Sequence, residues 1–201
     1  DVNRAGVPLM EIVSEPDITS PAEARSYLIA LRQILRYIGA STGNMDEGAF
    51  RVDANISQRS TDGSIIGPKV EVKNMNSFRS VERALEYEVE RQRKALLNGE
   101  TLVQETRGWV EDQQITVSQR TKEFAEDYRY FPEPDLPPLE VTESWVTEIR
   151  TGMAELPAAR LERFEREYGL SRADAAILTE ESEVADFYEE VTRLSGGEAG
   201  E

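Results

Sequence analysis

The sequence predicts an α+β fold: a mostly antiparallel sheet with flanking helices, followed by the start of an all-helical unit. Three observations carry this expectation. Residues 49–74 alternate apolar and polar positions on either side of a turn-rich loop. Two long stretches repeat apolar residues every three to four positions. Past Pro138 the chain reads as short helical segments with Gly, Pro and Ser breaks, which places one unit over residues 1–153 and a second over 154–201.

Taken in order, residues 7–14 (VPLMEIVS) are mostly apolar on both faces. Val7, Leu9, Glu11 and Val13 alternate with Met10 and Ile12, the pattern of an interior strand. Such a strand buries Glu11, and an unpaired carboxylate is costly there, so Glu11 needs a cation, either Arg or Lys or a metal ion. The abrupt start, with neither methionine nor cap, predicts a fragment entered partway through a domain. Ser20-Pro21-Ala22-Glu23 is a capping box with proline at the first helical position. Leu28, Leu31, Leu35 and Ile38 then form an apolar stripe that Gly39 ends.

In the central hairpin, Phe50, Val52, Ala54 and Ile56 alternate with Arg51, Asp53, Asn55 and Ser57. Val70 and Val72 alternate with Lys69, Glu71 and Lys73. Thr61-Asp62-Gly63-Ser64 and Gly67-Pro68 supply the turn chemistry of an antiparallel connection. One face is apolar. The other carries Arg51, Asp53, Glu71 and Lys73 and is either a wet surface or a site. Ser77 caps a second helix reaching about Asn98-Gly99, striped by Phe78, Val81, Leu85, Val89 and Leu96. Two short strands follow within 102–120. The stretch Asp127–Leu139 is too rich in proline for a helix or a central strand. Its Tyr128, Tyr130 and Phe131 either stack on a base or plug the loop onto the core, and Arg129 has the chemistry to meet a phosphate.

Composition narrows the function. Lys and Arg number 23 against 39 for Asp and Glu, a net charge of −16, so broad electrostatic attraction to nucleic acid is excluded for the chain as a whole. Without histidine, chemistry rests on carboxylates, Lys and Arg. Without cysteine there is no disulfide and no thiolate zinc site within this chain, which fits a cytoplasmic protein. No apolar run approaches the roughly 20 residues that span a bilayer, so no membrane segment is expected.

NRAGVPLMEIVSEPD, GNMDEGAFRVDANIS, VEVKNMNSF, QETR and DYRYFPEPDLPP, in that order, resemble the B-type subunit of the tRNA-dependent aspartyl/glutamyl amidotransferases over essentially the whole chain. The resemblance implies the C-terminal part of a cradle-shaped kinase domain and the beginning of a helical domain. It implies an ATP-dependent carbon–nitrogen ligase with glutamine as amide donor. Such a subunit uses ATP and Mg²⁺ to phosphorylate the side-chain carboxylate of Glu-tRNA(Gln) or Asp-tRNA(Asn). Ammonia from the A-type glutaminase partner then displaces the phosphate, and the assembly is completed by a C-type subunit. By resemblance, Glu11 and Asp53 match metal-site positions and are assigned to Mg²⁺. Lys73 is assigned to phosphate, Glu71 to orienting it or a second cation, and Arg51 to the same face. Tyr128, Arg129 and Tyr130 would flank the nucleotide or the terminal adenosine.

The chain departs from the family in places. The N-terminal ligands, a histidine among them, and the tRNA-gripping tail are absent, so the chain alone is expected to be inactive. Gln119-Arg120 stands where many members have Met-Arg, and Val52 where a cysteine is common. Two other readings compete: a non-catalytic tRNA-docking scaffold whose carboxylates form structural ion pairs, and the archaeal E-type relative acting on Glu-tRNA only. The E-type carries a large insertion near the helical junction, and residues 138–158 show none.

Overall fold

The computed structural model describes residues 6–64, 66–121 and 134–196. Helix α1 (Pro21–Tyr37) precedes strands β1 (Ala54–Ile56) and β2 (Val70–Lys73). Helix α2 (Phe78–Leu97) leads to β3 (Glu105–Val110) and β4 (Ile115–Thr121). Helices α3 (Glu143–Gly152), α4 (Pro157–Tyr168), α5 (Arg172–Leu178) and α6 (Ser182–Leu194) follow. The strands lie in the order β1-β2-β3-β4. β1–β2 and β3–β4 are antiparallel, as expected for the hairpins, while β2 and β3 are parallel because α2 carries the chain back across the sheet. The result is the α+β architecture, with a mostly antiparallel sheet and flanking helices.

Both long helices start on their serines. Ser20 Oγ accepts from the Glu23 amide and Ser77 Oγ from the Ser80 amide. The Glu23 carboxylate reaches one residue further back than a capping box requires, accepting from the amide and hydroxyl of Thr19. The apolar stripe of α2 packs on one face of the sheet and α1 packs against α2. Val70, Val72, Val81, Ala84, Leu85, Leu28, Leu35, Phe50, Met75 and Trp109 form the buried core. Phe50 meets Phe78 edge-on at 5.6 Å. Further along the chain α4, α5 and α6 close over Phe164, which is fully buried against Tyr168 and Tyr188 in a separate cluster. Among the described residues no helix is long and apolar enough to cross a membrane.

The interior strand expected over residues 7–14 does not form. Residues 7–15 have no regular secondary structure, and Leu9 is 93% exposed, Val13 81% and Val7 66%. Apolar composition on both faces says that a strand would need cover, not that the cover exists. No described strand pairs with this segment, so Glu11 is exposed rather than buried. The first predicted hairpin strand is also shorter than its alternation, because only Ala54–Ile56 finds partners on β2.

Candidate functional site

The face of the sheet turned away from α2 carries two rows of polar positions. Ala54 lies opposite Val72, so Asp53, one residue before β1, lies across from Lys73, and Lys73 lies beside Gly108 of β3. In the next row Asn55 faces Glu71, and Glu71 lies beside Thr106. Side chains alternate along a strand, so the same residues that bury Val70 and Val72 must present Glu71 and Lys73 on the open side.

Lys73 Nζ donates to Asp53 Oδ2 at 2.6 Å and sits 3.4 Å from Glu71 Oε1. The other Glu71 oxygen accepts from the Thr106 hydroxyl at 2.8 Å. Glu71 is the most covered of the three, with a side chain 16% exposed against 34% for Lys73 and 52% for Asp53. The hydrogen bond from Lys73 to Asp53 raises the lysine pKa above its ordinary value. Partial burial opposes the rise, and the charges of Asp53 and Glu71 add to it. Lys73 is therefore a fixed cation at neutral pH and not a base. One ammonium held between two carboxylates, on an open face, can exchange a carboxylate for an incoming phosphate.

Of the residues singled out from sequence, Asp53, Glu71 and Lys73 come together. Arg51 is exposed, precedes the β1 ladder and makes no ion pair among the described residues. Glu11 lies in the exposed segment 7–15 and likewise pairs with no described residue. Tyr128, Arg129 and Tyr130 fall outside the described residues. No group of three or more carboxylates gathers as a metal centre among the described residues. The donors present are still of the right kind. Mg²⁺ takes one or two carboxylates and fills its shell with water and phosphate oxygens, and Asp53 and Glu71 are two hard-oxygen donors beside one lysine.

Sequence reasoning missed Thr106, because the parallel pairing that brings it to Glu71 crosses a 20-residue helix. It also missed the opposite face. There Glu88 of α2, fully buried, meets Arg107 at 3.1 Å and accepts hydrogen bonds from Arg91, Gln92 and Thr116. Arg107 also pairs with Glu105 at 2.7 Å. A glutamate in the apolar stripe of a helix, with two arginines nearby in sequence, is the only signal that the sequence offers. Two concavities of about 340 and 780 Å³ lie along α2, lined respectively by Glu90, Lys94 and Glu100 and by Arg83, Trp109 and Glu111, away from Lys73.

The family described as the GatB/GatE catalytic domain matches residues 1–147. The aspartyl/glutamyl-tRNA(Asn/Gln) amidotransferase B subunit of Thermomicrobium roseum is 67% identical over 189 residues, covering 94% of this chain and 39% of that protein. The protein of the same name from Herpetosiphon aurantiacus is 58% identical over 196 residues, 98% of this chain and 41% of that protein. The one from Roseiflexus sp. is 61% identical over 190 residues, 94% and 39%. The chain thus spans about two fifths of the length of these curated relatives. With residues 1–147 matched, this chain belongs to the GatB/GatE catalytic-domain family.

Proposed function

We propose that this chain is the part of a tRNA-dependent amidotransferase B-type subunit that phosphorylates the side-chain carboxylate of Glu-tRNA(Gln) or Asp-tRNA(Asn), with ATP as donor. The carrying observation is the cross-strand pair Asp53–Lys73, flanked by Glu71 and Thr106 on the open face of the sheet. Phosphoryl transfer is catalysed mainly by positioning and charge neutralisation, for which this face supplies a fixed cation and two carboxylates. Lys73 holds a phosphate oxygen. Glu71, fixed by the Thr106 hydroxyl, aims the lysine or a second cation. Asp53 would hold Mg²⁺, with Glu11 assigned beside it by resemblance, and the ion would neutralise the phosphate charge. Arg51 belongs to the same polar face, and Tyr128, Arg129 and Tyr130 flank the nucleotide or the terminal adenosine.

In this reading residues 1–153 form the C-terminal part of the cradle domain and 154–201 begin the helical domain. The partners are the A-type glutaminase, which releases ammonia from glutamine to displace the phosphate, and the C-type protein of the same assembly, in the cytoplasm. A second reading is supported by the same salt bridge: Asp53 is already paired, as in a docking scaffold whose charges are structural. Asp53→Asn in the full-length protein, reconstituted with its A-type and C-type partners, separates the two. A kinase site predicts that ADP release dependent on misacylated tRNA falls at least about 100-fold, about 2.7 kcal/mol of transition-state stabilisation, with tRNA binding intact. Near-normal release would leave the scaffold reading.

A further inference from the structure

The open face holds one arrangement that the assignments above do not use. Directly after Lys73, Asn74 adopts a left-handed backbone (φ 63°), one of two non-glycine residues with positive φ among the described residues. Asparagine tolerates this conformation, and non-glycine residues held there cluster at functional sites. Across β3, the β4 register jumps: Thr106 pairs with Arg120 and Arg107 with Ser118, which leaves Gln119 as the extra residue of a bulge. Bulges re-aim side chains. Both distortions converge on Gly108, the neighbour of Lys73. A Cβ built on Gly108 would lie 2.3 Å from Gln119 Nε2 and 3.1 Å from Asn74 Nδ2. Two carboxamides are thus brought together over a bare backbone, and neither has a hydrogen-bond partner among the described side chains.

We propose that Asn74 and Gln119 form a pair of N–H donors over Gly108 that binds an anionic oxygen of the substrate held by Lys73. This rests on the reading of the site given above. The chemistry follows from the charge of the row. Asp53 and Glu71 outweigh the single ammonium of Lys73, so further acidic groups would repel an anion and further cations would bind the carboxylates instead. Neutral amide donors engage an anionic oxygen without either effect, and preorganised donors of this kind are what phosphoryl and acyl transfer require. Glycine at 108 is needed for the pair to close, since any side chain would displace the Gln119 amide. The oxygen belongs either to a phosphoryl group of ATP or to the carboxyl group being phosphorylated.

The test uses the full-length protein together with its A-type and C-type partners. Gln119→Met removes a donor at similar length, Asn74→Gly removes the other while keeping the backbone angle, and Gly108→Ala parts the two. Equilibrium binding of ATP without tRNA, thermal midpoint, and the KM and kcat of tRNA-dependent ADP release are read together. ATP affinity weakened about tenfold in variants that keep the parental thermal midpoint identifies the phosphoryl oxygen. Unchanged ATP affinity with kcat lowered about tenfold identifies the substrate carboxyl. All three variants within twofold of the parent in every readout would mean the amides only meet solvent, and the proposal falls. Lys73→Met, assayed alongside, keeps the two claims apart. If it loses ADP release while the amide variants do not, the site stands without the donor pair; if it too is unaffected, the site assignment itself fails.

Discussion

Glu88 accepts hydrogen bonds from Arg91 Nε and Nη2, each at 2.9 Å, from Gln92 at 2.9 Å and from Thr116, while Arg107 lies 3.1 Å away. Burial pushes its pKa up, but the hydrogen bonds of Arg91, Thr116 and Gln92 and the Arg91 charge outweigh burial and hold it below the ordinary value. A depressed carboxylate contributes stability above its unfolded pKa, about 4.3, and loses it as pH falls through the folded value. Glu88→Gln is therefore expected to destabilise strongly at pH 7, with urea midpoints of parent and variant converging below about pH 4. A gap that stays constant down to about pH 3 would show that the charge contributes nothing. Removing the carboxylate altogether, as Glu88→Ala, leaves the half-buried Arg91 and Arg107 to share Glu105 alone and should cost about 3 kcal/mol. Lys73 is the opposite case. Its pKa is raised, so its ion pair is complete at neutral pH and fades only as pH rises past the ordinary lysine range. Exposed pairs are worth under about 1 kcal/mol, so Lys73→Met should leave the urea midpoint nearly unchanged, which makes it a clean probe of binding.

At the scale of elements, the helices were legible because their period and caps agree. Ser20 and Ser77 start α1 and α2 as their side-chain chemistry dictates. Ser77→Ala should cost about 1 kcal/mol, read by urea denaturation, because the Ser80 amide loses its acceptor at a helix end. Strands were legible only where the alternation meets a partner. Residues 50–53 and 102–104 carry strand-like patterns outside the ladders, and residues 7–14 carry the strongest apolar pattern of all with no described partner. Periodicity reports what a face wants to contact, whereas pairing depends on what lies beside it. The same limit governs the site. Asp53 and Lys73 were readable because an antiparallel hairpin brings its two polar faces together. Thr106, Gly108 and Gln119 were not, since a crossover and a bulge place them, and neither leaves a periodic trace.

In the molecule as a whole, α1 joins the sheet unit to the helices that follow. Gln33 Nε2 at 2.9 Å and the Tyr37 hydroxyl at 2.5 Å both donate to the carbonyl of Thr179, and Arg36 pairs with Glu181. Two donors that share one acceptor are the kind of contacting pair that couples. Gln33→Ala and Tyr37→Phe are expected to be non-additive, with a coupling of about 0.5 kcal/mol or more in a double-mutant cycle of urea denaturation. Additive losses would mean that the two donors use the two lone pairs of the carbonyl independently. The parallel pairing of β2 with β3 reaches furthest. Residues 74–104 lie between these strands, so no tight turn dictates how they align. Sliding β3 by one position would carry Thr106 and Gly108 beneath α2, bring Arg107 up beside Lys73, and leave Glu88 without Arg107. Only one alignment adds Arg107 of β3 to the Arg91 that α2 already supplies to Glu88, so the charged cluster beneath the sheet works as a key. It admits one threading of the chain and thereby proofreads, from the closed side, which atoms the open side offers to a substrate.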